Sequence, residues 1–294
     1  MRVVGIGDNV ADHYLHTSTI YPGGCAYNFS AFAAMDGAEA GFLGVFRDDL
    51  AGRHNHEVAR EIGINVERSR VFHGTTMLPK VDIVDGDRVF PEFEFADAME
   101  IPILLTARDF DYIRTFDLVH TSIFSSVEQH FEALADTGVP LSLDFSDEFS
   151  PFLLKWTCPH LTFAELSCSH LSEAETRATI SQVHGYGTPY VIATRGGDGA
   201  FFSDGHDIYF RKAVLMDATD TMAAGDSFIA SFLCSYRAWQ LAAPTNPQVP
   251  ERRHAAESAL AHASNFAARV CLIDGSFGHG LAYPPSTDQE AAAH

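Results

Sequence analysis

Basic residues are scarce in this chain. Lys and Arg total 19 against 39 Asp and Glu, a formal net charge of −20 over 294 residues. Such a balance argues against a nucleic-acid partner, because phosphate contacts need a basic face. Any anionic ligand must instead be met locally, by backbone N–H groups, a few cations and Mg²⁺. Long apolar runs are also missing: no stretch of about 18 apolar residues exists, so no membrane-spanning helix is expected. The N-terminal run Met1-Arg2-Val3-Val4-Gly5-Ile6-Gly7-Asp8 turns acidic too soon for a signal peptide and reads as a buried first strand. Cysteine is limited to Cys25, Cys158, Cys168, Cys234 and Cys271. An odd, scattered set without Cys-x-x-Cys spacing argues against a zinc site or a disulfide framework and suits a reducing cytoplasm. Histidine is plentiful, yet His54 and His56 have no further ligands nearby in sequence, so they make a poor metal site. There is no internal repeat, no low-complexity tract, and no Gly-x-Gly-x-x-Gly leading into a helix.

What is present is a hydrophobic content of 46%, ample for a sizeable core. From residue 106 the pattern alternates. It predicts helices at 106–114, 127–136 and 172–184, and strands at 117–123, 139–145, 161–164 and 189–194. Alternation at this spacing predicts an α/β fold, a doubly wound, mostly parallel sheet with helices on both faces. Before it come a strand at 2–7, a helix from the Gly23-Gly24 turn to Gly37, a strand at 41–46 and a helix ending at Gly63. Residues 75–95 read differently: β-rich runs flank Asp85-Gly86-Asp87, a hairpin signal. Asp204-Gly205 marks another hairpin. A linker with three prolines at 241–250 precedes a helix near 251–270, and the tail from about 285 reads as frayed.

Ligands of such sheets bind at the carboxyl ends of the strands. Two polar runs fall at predicted strand ends: Asp144-Phe145-Ser146-Asp147 and Thr194-Arg195-Gly196-Gly197-Asp198-Gly199. The most suggestive stretch is Asp220-Thr221-Met222-Ala223-Ala224-Gly225-Asp226-Ser227-Phe228. Small residues open a helix whose apolar face continues through Ile229, Phe232, Leu233 and Tyr236. Its free N–H groups can receive an anion, and the helix dipole favours negative charge there. Asp226 beside that anion hole suits a base that takes a proton from a hydroxyl while phosphate charge develops. The same residues serve equally as a tightly packed helix start with a first-turn acid.

The 220–226 run resembles the C-terminal signature of the ribokinase-like sugar kinases, also called the phosphofructokinase B family: Asp-Thr-x-(Gly/Ala)-Ala-Gly-Asp. The likeness extends in order over nearly the whole chain, so residues 1–294 are expected to form one kinase domain. It implies Asp226 as catalytic base and the backbone of Ala223, Ala224 and Gly225 as anion hole. Gly7-Asp8-Asn9-Val10-Ala11-Asp12 resembles the family's N-terminal run, and Gly-Gly-x-x-x-Asn its next signature. Asp12, Gly24 and Asn28 are then expected sugar contacts, with Asp8 and Asn9 beside them. Thr194, Gly196 and Gly199 resemble the nucleotide loop, with Asp220, Thr221, Asn265 and Gly275 as further nucleotide contacts. A small β lid from about 10–21 and 74–97 is implied, used in a homodimer.

ATP and Mg²⁺ are the implied cofactors, with a monovalent cation such as K⁺ beside them. The family's Asn-x-x-Glu is absent near Ala164-Glu165-Leu166-Ser167, and Glu165 is the expected partial substitute toward Mg²⁺. Arg47 stands where the family usually has Gly. Several runs, among them Asp87-Arg88-Val89-Phe90 and Asp144-Phe145-Ser146-Asp147, are more similar to fructoselysine 6-kinases than to ribokinases. That implies a small-molecule substrate, a sugar carrying a glycated amine. Asp144, Asp147, Glu92 or Glu94 would pair with the amine and Arg88 or Arg47 with a carboxylate. A plain sugar or nucleoside kinase, and a non-catalytic sensor on the same fold, stay open.

Overall fold

The computed structural model describes residues 1–84, 87–89, 102–243 and 247–283. The expected Asp85-Gly86 turn, Glu92 and Glu94, and the tail from 285 lie outside them. The chain begins with β1 (Arg2–Gly7), β2 (Val10–Tyr14), β3 (Thr19–Gly23), α1 (Cys25–Met35), β4 (Glu39–Arg47) and α2 (Leu50–Glu61). β5 (Arg70–Phe72), β6 (Lys80–Val84) and β7 (Asp87–Val89) follow. Next come α3 (Ala107–Ile113), β8 (Leu118–Ser122), α4 (Phe131–Ala135), β9 (Leu141–Asp144), α5 (Pro151–Thr157) and β10 (Phe163–Ser167). The chain continues with α6 (Glu173–Gly185), β11 (Tyr190–Thr194), β12 (Ala200–Ser203) and β13 (Ile208–Arg211). It closes with α7 (Ala224–Ala242), α8 (Val249–Val270) and β14 (Leu281–Ala282).

Among the described residues, nine strands form one sheet in the order β13-β12-β11-β10-β9-β8-β1-β4-β5. Pairing is parallel from β11 to β5 and antiparallel at β11-β12-β13. Successive strand residues point to opposite faces, and the sequence uses this consistently. Val3, Phe42, Leu118, Phe163, Ile192 and Phe202 join α1, α2, α7 and α8 in one core. Their neighbours Val4, Leu43, Val119, Ala164, Val191 and Phe201 join α3, α4, α5 and α6 in another. The expected doubly wound α/β sheet is therefore present, with helices on both faces.

Several boundaries differ from the sequence expectation. β10 runs over Phe163–Ser167, beyond the expected 161–164, because Glu165 is accommodated inside the sheet rather than ending the strand. The single helix expected at 127–136 is a 3₁₀ turn, Glu128–His130, followed by the short α4. α5 was not expected, although Ser150 caps it and Pro151 opens it, both recognisable helix-start signals.

Among the described residues, the second sheet has five strands in the order β14-β3-β2-β6-β7. It contains the expected segment 10–21 and part of 74–97, and adds β14, which pairs with β3. Asp220 ties this sheet to the larger body. Its Oδ2 accepts from the Tyr14 hydroxyl at 2.7 Å and from Gly275 N at 3.0 Å, while Oδ1 accepts from Met222 N at 2.8 Å. One buried carboxylate thus joins β2, the segment after α8 and the turn into α7. Asp220→Ala strands three donors, and leaving buried donors unpaired is costly. The expected loss is about 3 kcal/mol of unfolding free energy, read by urea denaturation; an unchanged midpoint would contradict this joint.

Candidate active site

The site is assembled where β1 and β9 end and α1 and α7 begin. α1 starts at Cys25 because Gly24 turns the chain at φ +106°. A Cβ on Gly24 would stand 2.8 Å from Asp8 Oδ2 and 2.9 Å from Asn9 Cα, so only glycine permits this approach. Asp8 Oδ1 accepts from Ser125 Oγ at 2.8 Å, Ser122 Oγ at 3.0 Å and Ala26 N at 3.3 Å. The last contact sets a carboxylate against the positive end of α1. Asn9 spends its amide on Val45 O at 2.6 Å, holding the end of β4. Asp8 and Asn9 line one cavity together with Arg47, Thr76, Met77 and Phe124. Asp12 on β2 is buried beside the backbone of Gly23.

Asp226 occupies the first turn of α7. Asn28, one turn into α1, donates Nδ2 to Asp226 Oδ2 at 2.6 Å, so the two signatures meet across 198 residues of sequence. Cys25 Sγ and one carboxylate oxygen each of Asp144 and Asp226 lie within 4.8 Å of one another. Burial and the neighbouring Asp144 carboxylate push Asp226 up to about 7, and the Asn28 hydrogen bond pulls the other way. Burial, with Asp8 and Asp147 nearby, pushes Asp144 up to about 6 against the Ser146 N–H that its Oδ1 accepts at 2.7 Å. The same surroundings, burial first, push the Cys25 thiol well up. The negative charge that the helix dipole favours at the start of α7 is thus opposed by the surroundings of Asp226. A dipole is worth about 0.3–1 kcal/mol, and burial beside other carboxylates outweighs it.

A second cleft of about 460 Å³ runs along the other side of the α7 entrance. Thr194, Gly196, Gly199, Thr221, Ala224 and Gly225 all line it. A Cβ added to Gly225 would meet nothing within 4 Å, so the backbone there faces open space. Ala223, the residue before α7, is buried and outside the lining. The far end is apolar, with Leu215, Met216, Ala267 and Cys271. Among the described residues no charged side chain lines the cleft. Backbone N–H groups, hydroxyls and an apolar slot suit a nucleotide whose phosphates lie at the helix N-terminus.

Four expected nucleotide or metal residues are not brought into this lining. Asp220 and Gly275 bond each other, as described above; a Cβ on Gly275 would lie 2.5 Å from the Tyr21 ring. Asn265 is exposed and turns Nδ2 back to Ala261 O at 2.8 Å. The cleft takes Ser264, Ala267, Ala268 and Cys271 instead, which recur at helical spacing and leave Asn265 off that face. Glu165 is fully buried, accepts from Ser142 Oγ at 2.9 Å, and is pushed well up by burial and by Asp144. Enclosed within the sheet, it lies outside the lining of both cavities. Arg88 lies on β7, next to β6 in the smaller sheet. Asp147 is exposed and takes a hydrogen bond from Ser146 Oγ at 3.3 Å.

Sequence reasoning missed Cys25, Ser122 and Ser125. Cys25 was legible: it stands three residues before Asn28, so both share one helix face. The serines were not, since they reach Asp8 from more than 110 positions away.

Residues 2–275 match the model of the pfkB family carbohydrate kinases. The chain belongs to that family. This kinase is 34% identical over 285 residues to a Bacillus subtilis (strain 168) protein named fructosamine kinase FrlD, covering 96% of this chain and 95% of that one. It is 30% identical over 233 residues to the fructoselysine 6-kinase of Escherichia coli (strain K12), covering 79% and 88%. Its fold resembles that of Arabidopsis thaliana ribokinase complexed with ribose and ATP, with a TM-score of 0.77 at 17% identity over 94% of each chain. Aminoimidazole riboside kinase from Salmonella enterica, complexed with aminoimidazole riboside and an ATP analog, gives 0.70 at 18% identity over 99% of each. No helix among the described residues is long and apolar enough to cross a membrane.

The raised Asp226 has a stability consequence in this kinase. Its folded proton affinity exceeds that of an ordinary carboxylate near 3.8. The folded state therefore binds more protons than the unfolded state between pH about 4 and about 7, and stability falls as pH rises through that window. Asp226→Asn removes this cost. The variant is expected to melt above the parent at pH 8, with the gap closing toward pH 4, in thermal scans; a variant that melts lower at pH 8 would contradict it.

Proposed function

We propose that this kinase transfers the γ-phosphate of ATP to the 6-hydroxyl of a fructosamine, a sugar joined to the amine of an amino acid. The observation that carries the proposal is Asp226 itself. It stands between a cleft suited to phosphates and a cluster of carboxylates suited to a cationic acceptor. The two kinases quoted by name, which act on fructosamine-type substrates by those names, support the substrate class.

In the proposed reaction the acceptor hydroxyl gives its proton to Asp226. Its oxygen then bonds the γ-phosphorus, the bond from that phosphorus to the bridging oxygen of ADP breaks, and ADP leaves. The backbone N–H of Gly225 meets the developing charge, beside that of Ala224, which in the resting structure donates to Thr221 O at 3.2 Å. Mg²⁺ carried on the phosphates would neutralise their charge. A monovalent cation such as K⁺ belongs to the same proposal and is tested by omission.

Asp12, Gly24 and Asn28 hold the sugar, and Asp8 and Asp144 face its amine. Arg47, which lines the cavity beside Asp8, suits the carboxylate of the amino-acid half, with Arg88 as a second candidate. The smaller sheet acts as a lid that keeps water from the phosphate. Pairing of two such lids would cover their edge strands in a homodimer. With its five free cysteines, the protein suits a reducing compartment such as the cytoplasm.

ATP with fructoselysine is expected to give kcat/KM at least about tenfold above ATP with fructose, because a site built for a charged amine penalises its absence. A coupled ADP assay reads this; equal values would favour a plain sugar kinase. Asp226→Asn should lower kcat by about 10²–10⁴-fold with ATP affinity kept, whereas Asp12→Asn should act mainly by raising the sugar KM. Light scattering that finds a monomer at micromolar concentration would remove the dimer.

A further inference from the structure

Asp144 and Asp226 come from different layers of the fold, one at the end of β9 in the sheet and the other at the start of α7. Their carboxylate oxygens nevertheless lie within 4.8 Å of each other. Two carboxylates so close, Asp144 buried and Asp226 half-buried, resist ionising together. The surrounding groups add to the difficulty. Asp8 after β1 and Asp12 on β2 both oppose ionisation of Asp226. Cys25 on α1 is held as a thiol. On β10, Glu165 stands in register with Asp144, and burial and Asp144 push its carboxyl well up. Asn28 is the neighbour that favours the Asp226 carboxylate. Among the described residues, the Asp144 carboxylate takes one hydrogen bond, from Ser146 N.

We infer that Asp144 is a specificity-determining and positioning residue that arms the base: a cationic substrate amine beside Asp144 displaces a proton carried by one member of the closely spaced Asp144–Asp226 pair, so that Asp226 meets the acceptor hydroxyl as a carboxylate. The inference rests on the fructosamine reading and deepens it. The displaced proton leaves to solvent, and the proton later taken from the hydroxyl replaces it on Asp226. A neutral sugar brings no cation, so the pair keeps its proton and the base works only at higher pH. Preference for an amine then appears in kcat at mildly acid pH and not only in KM.

The test is kcat against pH for fructoselysine and for fructose, in the parent and in Asp144→Asn. In the parent, the acid limb for fructoselysine should lie at least about one pH unit below that for fructose, so the kcat ratio at pH 5.5 exceeds its value at pH 8 by about tenfold. In Asp144→Asn the two limbs should coincide. Coincident limbs in the parent, or a separation that survives in the variant, would overturn the inference. Limb positions are independent of the substrate's overall rate, so equal kcat/KM at pH 8 with separated limbs would sink the fructosamine preference alone. Absence of turnover with fructoselysine at every pH would remove both. If Asp144→Asn fails to fold, or fructose is not turned over, calorimetry of the parent in two buffers of different ionisation heat reads the same event. Fructoselysine binding at pH 6.5 should release protons, and zero release would overturn the inference.

Discussion

The crowding of carboxylates where β1, β2, β9 and α7 converge is the constraint on which the site depends. Asp8, Asp12, Asp144 and Asp226 all act on this small region. Their mutual repulsion is tolerated in part because three of them are tethered differently. Asp8 takes two serine hydroxyls and the Ala26 amide, Asp144 the Ser146 amide, and Asp226 the Asn28 side chain. Buried like charges cost stability in the resting protein. The cost is consistent with a site shaped for a positively charged ligand on one side and a phosphate on the other.

The cleft lined by Thr194 and Gly225 is built on the opposite logic. It offers no charged side chain among the described residues and relies on the turn into α7 and the Thr194–Gly199 loop. Gly199, at φ +120°, lets that loop pass against Arg211 and Lys212, where a side chain would collide with their backbone. Arg195, in the same loop, turns away to Leu171 O at 3.1 Å and to Asp198 at 3.3 Å. In a protein of net charge −20, this cleft thus presents backbone amides and hydroxyls rather than cations.

Much of this was legible in the sequence because it depends on local pattern. The alternation that separates Val3 from Val4 and Phe42 from Leu43 gives the two cores. The small residues before Asp226 give the helix entrance. Signals failed where structure depends on distant partners or on very short elements. β5 and β14 span three and two residues, too few to carry a period. Glu165 looked like a strand end and a metal ligand, but Ser142 on the neighbouring strand allows it to be buried. Asp220 looked like part of the nucleotide site; Tyr14, more than 200 positions earlier, takes it as a joint between the sheets. Asp226 seemed governed by its own helix, and Asp144 on another layer of the fold changes its proton affinity.

The central claim is that the acceptor is a fructosamine whose 6-hydroxyl meets Asp226. The most direct measurement is ¹³C and ³¹P NMR of the product formed from ATP and fructoselysine. Phosphorus coupling to the C6 carbon, with the C1–amine linkage intact, is the result this account predicts. Phosphate on any other oxygen, or ATP hydrolysis without a sugar phosphate, would contradict it.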